Sequence, residues 1–103
     1  MRDAGRDALA FIGGKTVLDL ESEPTLAPAL VQRLEVIGEA ASHVTEATRA
    51  EIPLIPWSQV VGIRHRLVHA YYDIQLGIVW STVVVDLPPM VEALEAFLQR
   101  GEA

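Results

Sequence analysis

Leu26, Leu30, Val31, Leu34, Ile37, Ala41 and Val44 recur at intervals of three and four residues. An α-helix gathers such a set on one face, whereas a strand scatters it. The spacing predicts a helix with Thr25 as N-cap and Pro28 tolerated in its first turn, running to about His43. Gly38 inside it costs ~1 kcal/mol relative to alanine, so a close approach by another helix is expected there. A second stripe, Val60, Val61, Ile63, Leu67, Val68 and Tyr71, predicts a mostly buried helix over residues 57–72. Residues 81–85, Ser-Thr-Val-Val-Val, resemble a strand in isolation. The wider pattern overrides them: Leu76, Trp80, Val83, Leu87, Met90, Leu94 and Phe97 keep helical phase across Pro88 and Pro89. Residues 76–101 therefore read as one helix, kinked or briefly interrupted at the prolines.

The remaining elements are short. Residues 3–12 form a helix stopped by Gly13-Gly14, and Thr16 caps a further turn over 17–21. Thr45 starts another turn at 46–51, Pro53 and Pro56 stiffen a loop, and Asp73 stops the central helix and caps the next. The chain of 103 residues is long enough for one core. The expectation is a single all-α domain over 1–103, an up-and-down bundle of four main helices plus short helical turns.

Composition narrows the function classes. There is no cysteine, which removes disulfides, thiolate metal sites and cysteine nucleophiles and suits a reducing cytoplasm, the expected location. Arg2, Asp3, Arg6 and Asp7 crowd the place of a signal peptide, and no uncharged run approaches the ~20 residues of a membrane span. No membrane partner is expected. With 8 basic and 14 acidic residues the chain carries net charge −6, so a generally basic nucleic-acid surface is excluded. Gly13-Gly14-Lys15-Thr16 lacks the upstream glycine and strand of a phosphate loop and reads as a helix stop followed by a cap.

Against that acidic background the central segment stands apart. It carries Arg64, His65, Arg66 and His69, and no carboxylate occurs from Ile52 to Tyr72. On a helix His65 and His69 share a face, whereas Arg64 and His69 diverge by roughly 140°. A second copy packed across a two-fold axis would close that gap, so the arrangement argues for a homodimer if both groups serve one substrate. The residue types suit RNA cleavage without metal. Histidine titrates near neutrality and can take the 2′-hydroxyl proton or protonate the leaving 5′-oxygen. Arginine offers a fixed charge and a planar fork of donors for non-bridging phosphate oxygens. Arginine and histidine on a helix also commonly form a salt-bridging face. His65-x-x-x-His69 has the spacing of a zinc pair, but Arg66 stands where a zinc protease carries glutamate, and its charge opposes a cation. No metal or cofactor is expected. His43 ends its helix where a cation suits the dipole.

Arg64-x-x-x-x-His69-x-Tyr71 resembles the signature of the HEPN superfamily, specifically the HepT-like toxins of HEPN/MNT toxin–antitoxin pairs. Residues 34–41 (Leu-Glu-Val-Ile-Gly-Glu-Ala-Ala), Ile55-Pro56-Trp57, residues 66–69, Asp73-Ile74 and Asp86-Leu87-Pro88 support the likeness, which covers about Val31–Phe97. The resemblance implies a HEPN-type helical bundle, a homodimer and a metal-independent endoribonuclease. It places catalysis on Arg64 and His69, support on His65, Arg66 and Tyr71, and on Tyr71 the AMP with which a partner nucleotidyltransferase antitoxin silences the toxin. His65 stands where these toxins most often carry asparagine, and Ala70 where glycine is common. A non-catalytic HEPN module that binds or presents nucleotide to a partner nucleotidyltransferase is the competing expectation.

Overall fold

In the computed structural model, which describes residues 1–63, 65 and 76–102, the chain is all-α and no strand occurs among those residues. The helices are α1 (Arg2–Phe11), α2 (Val17–Ser22), α3 (Leu26–Ser42), α4 (Glu46–Glu51), α5 (Trp57–Val61), α6 (Leu76–Ser81) and α7 (Leu87–Glu102). A single π-helical turn, Thr82–Asp86, joins α6 to α7.

The stripe on α3 is the centre of the core. Leu30, Leu34, Ile37 and Ala41 are wholly buried, and Leu26, Val31 and Gly38 are buried beside them. Helix α1 packs against α3 and also against α7, while α5 and α6 pack against α3 as well. Burying these aliphatic side chains is what holds the elements together, each contributing roughly 1.5–3 kcal/mol before chain entropy is counted.

Local signals set the ends. Gly14 adopts φ 76°, a left-handed conformation that glycine takes without steric cost, and this turns the chain out of α1. The Asp19 carboxylate accepts from the Thr16 N–H (2.6 Å) at the start of α2, while Lys15 pairs with Glu23 at 2.8 Å. That pairing raises the Lys15 pKa above its ordinary value, chiefly through the hydrogen bond to Glu23. The Gly-Gly-Lys-Thr stretch is thus a stop and a cap, as expected. Thr45 caps α4 by accepting from the Thr48 N–H (3.2 Å). Thr25 sits at the N-cap of α3, but its side chain makes no capping bond, because its backbone has already turned helical. His43 closes α3, its ring Nε2 3.0 Å from Glu39 Oε1.

The final segment is helical throughout, and its interruption lies one turn upstream of the prolines. Pro88 and Pro89 have no N–H, and in a regular helix their rings would crowd the carbonyls of Val84 and Val85. The backbone widens there, and Leu87 N–H reaches back five residues to the Thr82 carbonyl. Val79, Val83 and Leu87 remain buried across the widened turn. By length and composition alone Leu76–Arg100 could cross a membrane: it has 25 residues, and an 18-residue window within it has mean hydropathy 1.3. Its apolar face is instead part of the bundle core, while Asp86, Glu92 and Arg100 are on the outside.

Candidate active site

The segment leading into Arg64 is held at both ends of α5. At the start, the Trp57 indole Nε1 donates to the carbonyls of Arg49 (3.2 Å) and Ile52 (3.1 Å). The Arg49 guanidinium lies 5.7 Å from the centre of the Trp57 ring and donates to the Ala41 carbonyl at 2.9 Å. Trp57 and Arg49 together therefore tie α5 to the last turn of α3. Sequence reasoning placed Trp57 only as part of a motif; its indole N–H needed a buried partner, and a short upstream loop was the place to look.

At the far end, α5 stops at Val61. Gly62 is a turn residue whose N–H returns to the Ser58 and Val60 carbonyls, and Ile63 and His65 are helical again. In the described part of the helix expected over 57–72, the helix is interrupted at Gly62, and Val61, assigned to its buried stripe, is 37% exposed, which corrects the expectation there. A one-residue turn leaves the three-and-four spacing of its neighbours nearly intact, so apolar periodicity does not register it. Val60 and Ile63 are buried as expected.

Of the expected site residues, His65 is described. It is exposed to solvent, and its backbone N–H bonds the Gly62 carbonyl at 3.0 Å. Arg64, Arg66, His69 and Tyr71 lie outside the described residues, as do Leu67, Val68 and Asp73. An exposed imidazole one residue past Arg64 can meet a solvent-borne phosphate or serve as a proton carrier.

Beside this segment runs a groove of about 170 Å³, walled by Pro56, Val60 and Ile63 on one side and Val85, Asp86 and Pro89 on the other. Leu54 at its rim is 85% exposed. Among the described residues the lining is mostly apolar, with Gln59, Thr82 and Asp86 as its polar members, and holds no flat aromatic ring of the kind on which unpaired bases stack. Among the described residues no three histidine or carboxylate side chains converge as a metal site would require.

The family model described as Ribonuclease HepT-like matches residues 1–97. A candidate RNase of Caldanaerobacter subterraneus subsp. tengcongensis is 29% identical over 86% of this chain and 80% of its own length. A candidate RNase of Methanocaldococcus jannaschii is 34% identical over 65% of this chain and 62% of its own. A protein of Thermococcus cleftensis, named as the probable ribonuclease HepT, is 34% identical over 60% of this chain and 56% of its own. The aligned region thus covers less than two thirds of the last two relatives. No solved structure matches the chain.

Proposed function

The chain belongs to the HepT-like ribonuclease family, and from that premise we propose that it is a metal-independent endoribonuclease, the toxin of a HEPN/MNT toxin–antitoxin pair acting in the cytoplasm. The observation that carries this reading is the Arg64-x-x-x-x-His69-x-Tyr71 motif inside a family match over residues 1–97. In the proposed reaction the 2′-oxygen of RNA forms a bond to phosphorus as the bond to the 5′-oxygen breaks. The products are a 2′,3′-cyclic phosphate and a free 5′-hydroxyl. His69 moves the protons: a neutral imidazole takes the 2′-hydroxyl proton, and a protonated one supplies the 5′-oxygen. In a homodimer those two imidazoles come from two copies of the chain. Arg64 binds the non-bridging oxygens as charge builds on them. Arg66 and the exposed His65 add cationic or hydrogen-bonding contacts along the RNA backbone, and Tyr71 hydrogen-bonds a phosphate.

The same motif residues account for the proposed silencing. Attaching AMP to the Tyr71 hydroxyl would set an anionic phosphodiester and a bulky adenosine beside Arg64 and Arg66. The arginines would then hold that phosphate in place of substrate. A nucleotidyltransferase encoded in the neighbouring reading frame is the expected antitoxin.

The test is to incubate RNA with wild-type protein and with His69→Ala, each in EDTA and in magnesium. Cleavage by the wild type in both buffers and by the variant in neither is the expected result. Activity lost in EDTA and restored by a divalent metal would reject the mechanism, and equal cleavage by the variant would reject the assignment of His69.

A further inference from the structure

Gly38 is buried on the face of α3 that meets α5. A Cβ built there would lie 2.9 Å from Ile63 Cγ2, 3.2 Å from the Val60 carbonyl oxygen and 3.7 Å from that of Val61. The first is well inside the ~3.5–4.0 Å of an ordinary carbon contact. Ile63 Cγ2 is fixed to a β-branched, buried side chain that cannot swing aside, and the carbonyls are backbone. The bare α-carbon of Gly38 therefore lets α3 close directly onto the last turn of α5 and onto Ile63, two residues past its end. The next residue in the chain is Arg64, so a displacement of Ile63 reaches the motif through a single peptide bond.

We propose that Gly38 is a positioning residue for the ribonuclease site: its missing side chain sets how closely Val60 and Ile63, the residues just before the Arg64 motif, lie against α3. The role depends on the contact with Val60 and Ile63, and not on conformational freedom, since Gly38 lies within regular helix. Adding a methyl pushes Val60 and Ile63 away from α3 by a fraction of an ångström to an ångström, and Arg64 follows Ile63 directly in the chain. A shift of that size in a catalytic group lowers turnover by about ten- to a hundredfold without requiring any loss of substrate binding.

Gly5 provides a matched control. A Cβ there would meet Val91 Cγ2 at 2.7 Å, an equally severe contact between α1 and α7. Gly38→Ala and Gly5→Ala should both lower the thermal midpoint. Assayed well below their midpoints, Gly38→Ala should lose about tenfold or more in kcat with KM unchanged, and Gly5→Ala should keep wild-type kcat. Equal kcat in Gly38→Ala and wild type, or equal losses in the two variants, would overturn the proposal. If Gly38→Ala fails to fold, the double variant Gly38→Ala/Ile63→Ala is compared with Ile63→Ala. Its new Cβ still faces the Val60 carbonyl at 3.2 Å, so a loss of kcat is again expected.

The inference rests on the ribonuclease reading, and the two fail separately. Backbone amide NMR shifts of residues 64–69 do not depend on activity. They should move in Gly38→Ala and stay in place in Gly5→Ala. Changes confined to residues 58–63 would overturn the positioning role even in an active enzyme. A wild type that leaves RNA intact sinks the ribonuclease reading, and the amide shifts then decide the positioning role alone.

Discussion

Arginine and histidine divide the work of breaking a phosphodiester because one holds a fixed charge and the other exchanges a proton near neutrality. On this account Arg64→Ala should lower cleavage by about 10²–10³-fold, the scale of one lost transition-state donor. Arg64→Lys should recover only part of it, since an ammonium keeps the charge but not the planar fork. Steady-state kinetics on a defined RNA, with thermal midpoints measured alongside, checks both; wild-type rates in Arg64→Ala would remove that residue from the site. The motif residues stand out as a chemical expectation because a cationic cluster free of carboxylates is conspicuous in a chain of net charge −6. Their mutual geometry does not, because two groups five residues apart on a helix would diverge by roughly 140°, and Arg64 and His69 lie outside the described residues.

Trp57, Arg49 and Gly38 act together at the level of the element, fixing a five-residue helix that would have little stability alone. Trp57→Phe removes the indole donor, while the Arg49 and Ile52 carbonyls keep the backbone N–H groups of Ile52 and Ile55. The expected cost is about 1 kcal/mol, a fall in thermal midpoint of roughly 4–8 °C by calorimetry. An unchanged midpoint would show that the indole bonds carry no stability. Helix identity was readable wherever a stripe spanned several turns: α3 and the Leu76–Phe97 pattern both line the core. Features confined to one turn escaped. The break at Gly62 barely disturbs apolar phase, and the π turn at Thr82–Asp86 was visible only through the prolines that follow it. Gly38 announced a close approach from within a long stripe, whereas Gly5 makes an equally close one in α1 without any such frame.

For the whole molecule, an acidic protein that binds RNA through a small basic patch should show weak salt dependence. If Arg64 and Arg66 of two copies each neutralise one phosphate, log K for single-stranded RNA should fall with log salt at a slope of about −3. A much steeper slope would demand a larger basic surface than the sequence offers. Light scattering at micromolar concentration should report a dimer, and a monomer with full activity would remove the need for shared grooves. Combined with the neighbouring nucleotidyltransferase, ATP and magnesium, the protein should gain adenylate on Tyr71 by peptide mass spectrometry. Silencing that persists in Tyr71→Phe would place the modification elsewhere. The most direct test of the central claim remains cleavage of RNA in EDTA by the wild type beside Arg64→Ala and His69→Ala of equal fold stability. The account predicts cleavage by the wild type alone, giving 2′,3′-cyclic phosphate ends. Intact RNA in every lane, or cleavage that survives both substitutions, would contradict it.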